Sequence, residues 1–170
     1  MSRSTQHQLV IDFSDDCEVR RWLAVDDIVM GGVSSSRIVS SSEGTARFSG
    51  ELSLEQGGGF ASIRSQAATR DLATSVMLTV RVRGDGQRYQ LRLRTTNNFD
   101  GVSYAANFDT SKNTWQEHTF LTTDFQPTWR GQIVENAATL ALKDVQGFGV
   151  MITDKQAGNF DLEIAWIAAS

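Results

Sequence analysis

The 170-residue sequence predicts an all-β, antiparallel sandwich, and three observations carry that reading. Apolar and polar side chains alternate with a period of two in some ten short runs. Clusters of Gly, Asn, Asp and Ser, the residues that turns favour, separate those runs. Helix-like composition is confined to two short stretches, whereas a parallel α/β sheet needs a crossover helix for nearly every strand.

Taken in chain order, candidate strands fall at 9–13, 36–40, 45–49 and 60–65. The Ser-rich run 34–42 is interrupted by Arg37, Ile38 and Val39 and therefore reads as a strand rather than a tether. At 76–83 the alternation is clearest: Val76, Leu78, Val80 and Val82 share one face, while Thr79, Arg81 and Arg83 share the other. After the turn Gly84, Asp85, Gly86, Gln87, the run 88–94 alternates again, with Tyr89, Leu91 and Leu93 apolar. The two read as a hairpin that sets Arg83 opposite Arg88, Arg81 opposite Gln90 and Thr79 opposite Arg92. Further strands follow at 102–108, 114–121, 145–152 and 160–167. The helix-like stretches are the Ala- and Leu-rich 132–142 and a single turn near 15–22. No linker divides the chain, so one domain spanning 1–170 is expected, with its core at about 9–168.

Composition narrows the function. Hydrophobic residues make up 40% and charged residues 21%, ordinary values for a globular protein. The formal net charge of −4 provides no overall field for a nucleic acid. A lone cysteine, Cys17, and two histidines, His7 and His118, supply neither a disulfide nor a metal-ligand cluster, so no metal or cofactor is expected. No nucleophile, base and orienting group assemble into a set, and His118 reads as a surface or hydrogen-bonded strand residue. The adjacent carboxylates Asp26 and Asp27 point apart on an extended chain, which does not suit glycoside hydrolysis. The polar start, 1–8, lacks a signal peptide's basic end and apolar run, and no stretch nears the roughly 18 apolar residues of a membrane span, so a cytoplasmic, non-inserted protein is expected.

Several motifs in order resemble one family. They are Asp-Asp-Ile-Val-Met-Gly-Gly-Val-Ser at 26–34, Gly-Gly-Gly-Phe-Ala-Ser-Ile-Arg at 57–64, Gly-Asp-Gly-Gln-Arg-Tyr at 84–89, Phe-Gln-Pro-Thr-Trp-Arg-Gly at 125–131 and Gly-Phe-Gly-Val-Met-Ile-Thr-Asp-Lys-Gln-Ala-Gly at 147–158. Together they resemble the complex I intermediate-associated protein family from about Phe13 to Ile167. The family pattern most often has Asn-Asp where this chain has Asp26 and Asp27. The resemblance implies a galactose-binding-like jelly roll and a role in assembling respiratory complex I, with assembly intermediates as partners. Within the family it resembles the stand-alone bacterial form. Analogy with related sandwiches raises, and the sequence leaves open, the question of whether a structural cation sits near Asp12, Asp161 and Glu163.

Two functions of different class follow. The first is a non-catalytic protein-binding module that assists assembly of a larger complex. The alternative is a carbohydrate-binding module that recognises a sugar on a concave sheet face. Candidate contact residues are Asp26, Asp27, Met30, Gly31, Gly32 and Ser34 in the first motif, Arg64, Arg81, Arg92 and Arg94 on strands, and Trp129 and Arg130 in a polar loop. Gly31, Gly32 and 57–59 allow sharp loops, or close approach of backbone to a bound group. The carboxylates of Asp26 and Asp27 can accept backbone N–H bonds or reach a ligand. Clustered arginines on one face need either neighbouring acids or an anionic partner. Of Trp22, Trp115, Trp129 and Trp166, most are expected in the core and Trp129 is expected to be exposed. It suits a partner contact, a sugar-stacking role, or a ring that packs back to pin its own loop.

Overall fold

The computed structural model describes residues 7–98 and 100–170, apart from the side chains of Val29 and Met30. In chain order the elements are β1 (Gln8–Asp12), α1 (Asp16–Val19), β2 (Trp22–Ala24), β3 (Ser35–Ser40), β4 (Ala46–Leu52), β5 (Ala61–Ser65), β6 (Met77–Arg83), β7 (Arg88–Arg94), β8 (Ser103–Asp109), β9 (Trp115–Leu121), β10 (Gln126–Trp129), β11 (Gln132–Ile133), β12 (Gly147–Ile152) and β13 (Gly158–Ala169). One sheet runs β3-β4-β13-β6-β9 with β1 added beside β13, and the other runs β11-β10-β8-β7-β12-β5-β2. Every pairing of named strands is antiparallel, and the two sheets make the expected jelly-roll sandwich.

Alternation decides which face is buried. Val80 and Val82 of β6 and Leu91 and Leu93 of β7 are all 0% exposed, as are Val150, Ile152, Ile164 and Ile167. Each sheet therefore presents one apolar face to a shared core, the arrangement that excludes water from both at once.

The segments β6 and β7 are nevertheless not a hairpin, because they belong to different sheets. The connection at 84–87 climbs over the end of the sandwich. Gly84 lies so close to Thr110 that a Cβ there would stand 2.3 Å from the threonine's Cβ. Gly86 N donates to Thr110 Oγ1 at 3.1 Å, while Asp85 accepts from Tyr89 Oη at 3.0 Å and from Asp161 N at 2.8 Å. A hairpin and a crossing both turn the apolar faces inward, so alternation alone does not separate them. The cross-strand pairs expected of the hairpin, Arg83 with Arg88 among them, do not form: Arg83 meets Glu163 at 2.6 Å, Arg81 meets Glu117 at 3.3 Å and Arg88 meets Asp109 at 2.9 Å.

Residues 132–142 are not helical despite their composition. They begin with β11 and continue as irregular chain into a 3-10 turn at Leu142–Asp144. Leu140 and Leu142, two residues apart, are both buried, and Ala138 O accepts a hydrogen bond from Tyr104 Oη. An extended course buries both leucines, whereas a helix would turn them about 200° apart, so packing outweighs a weak propensity. The expected turn near 15–22 is present as α1, capped by Asp15, whose carboxylate accepts from Cys17 N at 2.9 Å.

His118 departs from expectation. It stands opposite the core residue Val80, its ring lies 5.1 Å from that of Phe108, and its Nε2 is buried without a hydrogen-bond partner. Burial pushes its pKa down, partly offset by Asp109. The unfolded chain therefore takes up this proton more readily than the folded one, and stability falls as pH drops below the unfolded value of about 6.5. His118→Phe is expected to flatten that part of the stability curve. Urea midpoints measured from pH 7.5 to 5 check it, and an unchanged slope would count against the assignment.

Candidate functional site

The first motif closes on itself. Asp27 opens a 3-10 turn, Asp27–Met30, that ends at Gly31 in the left-handed region (φ 87°). Its carboxylate is 1% exposed and accepts from Ser34 N (2.9 Å), Ser34 Oγ (2.6 Å), Gly59 N (2.7 Å) and Phe60 N (3.3 Å). Burial acts to raise its pKa, but the Ser34 hydroxyl and the Gly59, Ser34 and Phe60 N–H groups outweigh it and hold the group below the usual carboxylate range. A Cβ on Gly32 would lie 2.4 Å from Asp27 Cγ, and one on Gly58 would lie 2.5 Å from Asp27 Oδ2. The group to which these glycines bring the backbone close is thus the chain's own carboxylate.

Asp26 bridges the two sheets. Its Oδ2 accepts from Ser36 N of β3 at 2.8 Å, and its Oδ1 accepts from Ser36 Oγ and from Ser62 N of β5 at 3.2 Å. Both oxygens serve as acceptors, a use that a carboxylate meets more fully than an amide. Asp26, Asp27, Gly32 and Ser34 therefore hold the loop and the sheet junction together. The side chain of Met30 lies outside the described residues.

The arginines divide between the sheets. Arg81 stands on β6, paired with Glu117 and with its guanidinium 5.1 Å from the centre of the Trp115 ring, so it does not join the other three. Arg64, Arg92 and Arg94 share the outer face of the seven-stranded sheet: Gly149 of β12 pairs with Arg64 on one side and Arg92 on the other, and Gly147 pairs with Arg94. Strand spacing places Arg64 and Arg92 about 10 Å apart at Cα, and Arg92 and Arg94 about 7 Å apart. A Cβ at Gly147 would lie 3.3 Å from a terminal nitrogen of Arg94, so that side chain reaches across bare backbone.

Arg92 donates to Gln90 Oε1 at 2.8 Å, Thr128 Oγ1 at 3.0 Å and Ser103 Oγ, all uncharged acceptors. Burial, followed by the fields of Arg64 and Arg94, lowers its pKa to about 10. Burial and Arg64 likewise lower Arg94 to about 10. Both remain cationic at neutral pH, in a cluster whose members disfavour one another's charge. Sequence reasoning found these arginines by alternation but missed Gly147, Gly149, Ser103 and Thr128, whose part depends on which strands become neighbours.

The remaining candidates serve local roles. Trp129 is 43% exposed, but its Nε1 donates to Asp100 O at 2.8 Å, and the Arg130 guanidinium lies 4.7 Å from its ring centre while pairing with the Asp100 carboxylate at 2.8 Å. This trio pins the β10–β11 turn, where Arg130 and Gly131 both take positive φ. Trp22 is the one tryptophan in the core, whereas Trp115 and Trp166 are half-buried. Asp161 pairs with Arg47, and Glu163 with Arg83. Among the described residues no group of three His, Cys, Asp or Glu side chains could hold a metal ion, and no helix is long and apolar enough to cross a membrane.

A family model described as complex I intermediate-associated protein 30 (CIA30) matches residues 11–164. The chain is 30% identical over 155 residues to a probable complex I intermediate-associated protein 30, mitochondrial, of Caenorhabditis elegans, covering 80% of this chain and 46% of that protein. It is 24% identical over 187 residues to the Drosophila melanogaster complex I intermediate-associated protein 30, mitochondrial, covering 97% and 63%. The chain thus spans about half to two-thirds of these relatives' length. Among solved structures, the family 11 carbohydrate-binding module of a Clostridium thermocellum cellulosomal cellulase superposes with a TM-score of 0.67 at 15% identity, covering 96% of this chain and 94% of that one. A second structure of that module, in complex with a mixed-linked tetrasaccharide, gives 0.64 at 17% identity, covering 91% and 92%. At such identities the likeness concerns the fold.

Proposed function

This chain belongs to the complex I intermediate-associated protein 30 family, and on that premise we propose that it is a non-catalytic protein-binding module that assists assembly of a larger complex. The observation that carries the reading is the outer face of the seven-stranded sheet, where Arg92 is oriented by uncharged partners beside Arg64 and Arg94. Charge held in place without a carboxylate on Arg92 suits an acidic surface on a partner. Respiratory complex I assembly intermediates are the partner class that the relatives' names suggest.

The carbohydrate alternative rests on the likeness to sugar-binding modules. Sugar rings are usually gripped by aromatic faces. The outward positions on the described strands of this sheet carry three arginines, Arg64, Arg92 and Arg94, among mostly polar side chains with Leu23, Ala105 and Met151, and Trp129 stands at the rim. That surface favours a charged partner over a neutral glycan.

The test is affinity capture from the native host with the unmodified chain and with Arg92→Glu, followed by mass spectrometry. The expected result is a reproducible set of subunits of one larger complex that Arg92→Glu loses while its circular dichroism is unchanged, a loss worth several kcal/mol where the contact is buried. The same set captured by both proteins would remove this face as the contact. Millimolar or tighter binding of a mixed-linked glucan in calorimetry, with no subunits captured, would replace the reading with the carbohydrate one.

A further inference from the structure

Building on the reading of this face as a contact surface, we infer that Arg64, Arg92 and Arg94, grouped around bare backbone at Gly149, bind carboxylate groups of an acidic polypeptide segment. The shape comes first. A Cβ placed on Gly149 would stand 3.8 Å from Arg92 Cβ and 3.8 Å from Arg64 Cγ, so the two arginine stems wall a gap whose floor is the β12 backbone. At the next outward position the Arg94 guanidinium closes the gap over Gly147. The Arg92 fork is held above this face by Gln90, Ser103 and Thr128, and guanidinium groups are the planar donors that two-oxygen anions accept best.

Charge selects the ligand's sign. Elsewhere in the molecule Arg47, Arg81, Arg83, Arg88 and Arg130 each meet a carboxylate of the chain. At Arg92 the acceptors are an amide, two hydroxyls and the Met151 thioether, which orient the fork without cancelling its charge. Packing like charges together lowers the stability of the empty site, a cost characteristic of binding sites that an anion relieves.

The surroundings select the ligand's size. Two clefts among the described residues, of about 350 and 210 Å³, are lined by other residues, Tyr104 and Ala138 among them, and by none of these three arginines. Arg64 and Arg92 are partly exposed on this sheet face, with Arg94 9% exposed beside them and donating to Ser65 O, and the amides of Gln90, Asn107 and Gln126 occupy neighbouring outward positions. An open face offers little to a small free anion but can follow an extended chain, whose peptide groups those amides can meet. A nucleic acid would approach against the net charge of −4.

The experiment titrates the purified full chain with hexaglutamate, hexaglutamine, inorganic phosphate and a single-stranded oligonucleotide at matched ionic strength. Hexaglutamate is expected to bind, hexaglutamine is not, and Arg92→Gln and Arg64→Gln are each expected to weaken binding by roughly tenfold or more. Both variants should keep or raise the thermal midpoint without peptide, which a merely structural arginine would lower. Equal hexaglutamate binding by the unmodified chain and both variants overturns the site. Tighter binding of phosphate or the oligonucleotide overturns the carboxylate assignment. Loss of peptide binding with Arg92-dependent capture retained would reject the carboxylate chemistry alone. Peptide binding without such capture would instead reject the assembly reading.

Discussion

Asp27→Ala is expected to lower the unfolding free energy by about 3 to 5 kcal/mol, because it strips a buried, fully hydrogen-bonded charge from its donors. The Ser34 N–H and hydroxyl and the Gly59 and Phe60 N–H groups all lose their acceptor at once. Asp27→Asn keeps the size but turns an NH2 toward some of those same donors, so it should fare little better. The Asp27 pKa is depressed in the fold, so its contribution is full above the unfolded value of about 3.9 and is lost as pH falls through the lower folded value. Urea unfolding at pH 7 is the measurement. A midpoint within error of the unmodified chain would show that the loop is held by something else.

That expectation gives the distinctive residues of the first motif a structural role. Read along the chain, Asp27, Gly32, Ser34 and Gly58 are scattered small and acidic residues with two open readings, loop support or ligand contact. The structure brings them within one carboxylate's reach, whose donors lie from 7 residues along the chain at Ser34 to 33 at Phe60. Local pattern carries no information on such distances, since contacts that long depend on the whole topology.

The strands were legible for the opposite reason. Alternation is local, and ten of the expected runs coincide with observed strands to within a few residues. The three missed strands, β2, β10 and β11, have three, four and two residues, and β10 contains Pro127, which disfavours an interior strand. Partnership was not legible. The same alternation placed Arg81 and Arg92 on polar faces, yet β6 and β7 went to different sheets and only Arg92 joined Arg64. The loop 26–34 sits at the junction of β3 and β5 through Asp26.

The companion prediction uses the two faces of β7. Leu91→Ala is expected to cost about 2 to 5 kcal/mol, through lost burial and the cavity left behind. Leu91 is 0% exposed, and its cross-strand partners are Ala106 and Val150, the first too small and the second too stiff at χ1 to fill the space fully. Its neighbour Arg92 points the other way, so the two substitutions should separate cleanly. Leu91→Ala should lower the urea midpoint while the remaining folded protein keeps its affinity for hexaglutamate. Arg92→Glu should lose that affinity at little cost in midpoint, because its carboxylate would lie beside Arg64 and Arg94 and relieve their mutual repulsion. If Leu91→Ala left the midpoint unchanged, or Arg92→Glu unfolded the chain, the assignment of inner and outer faces on this strand would be inverted.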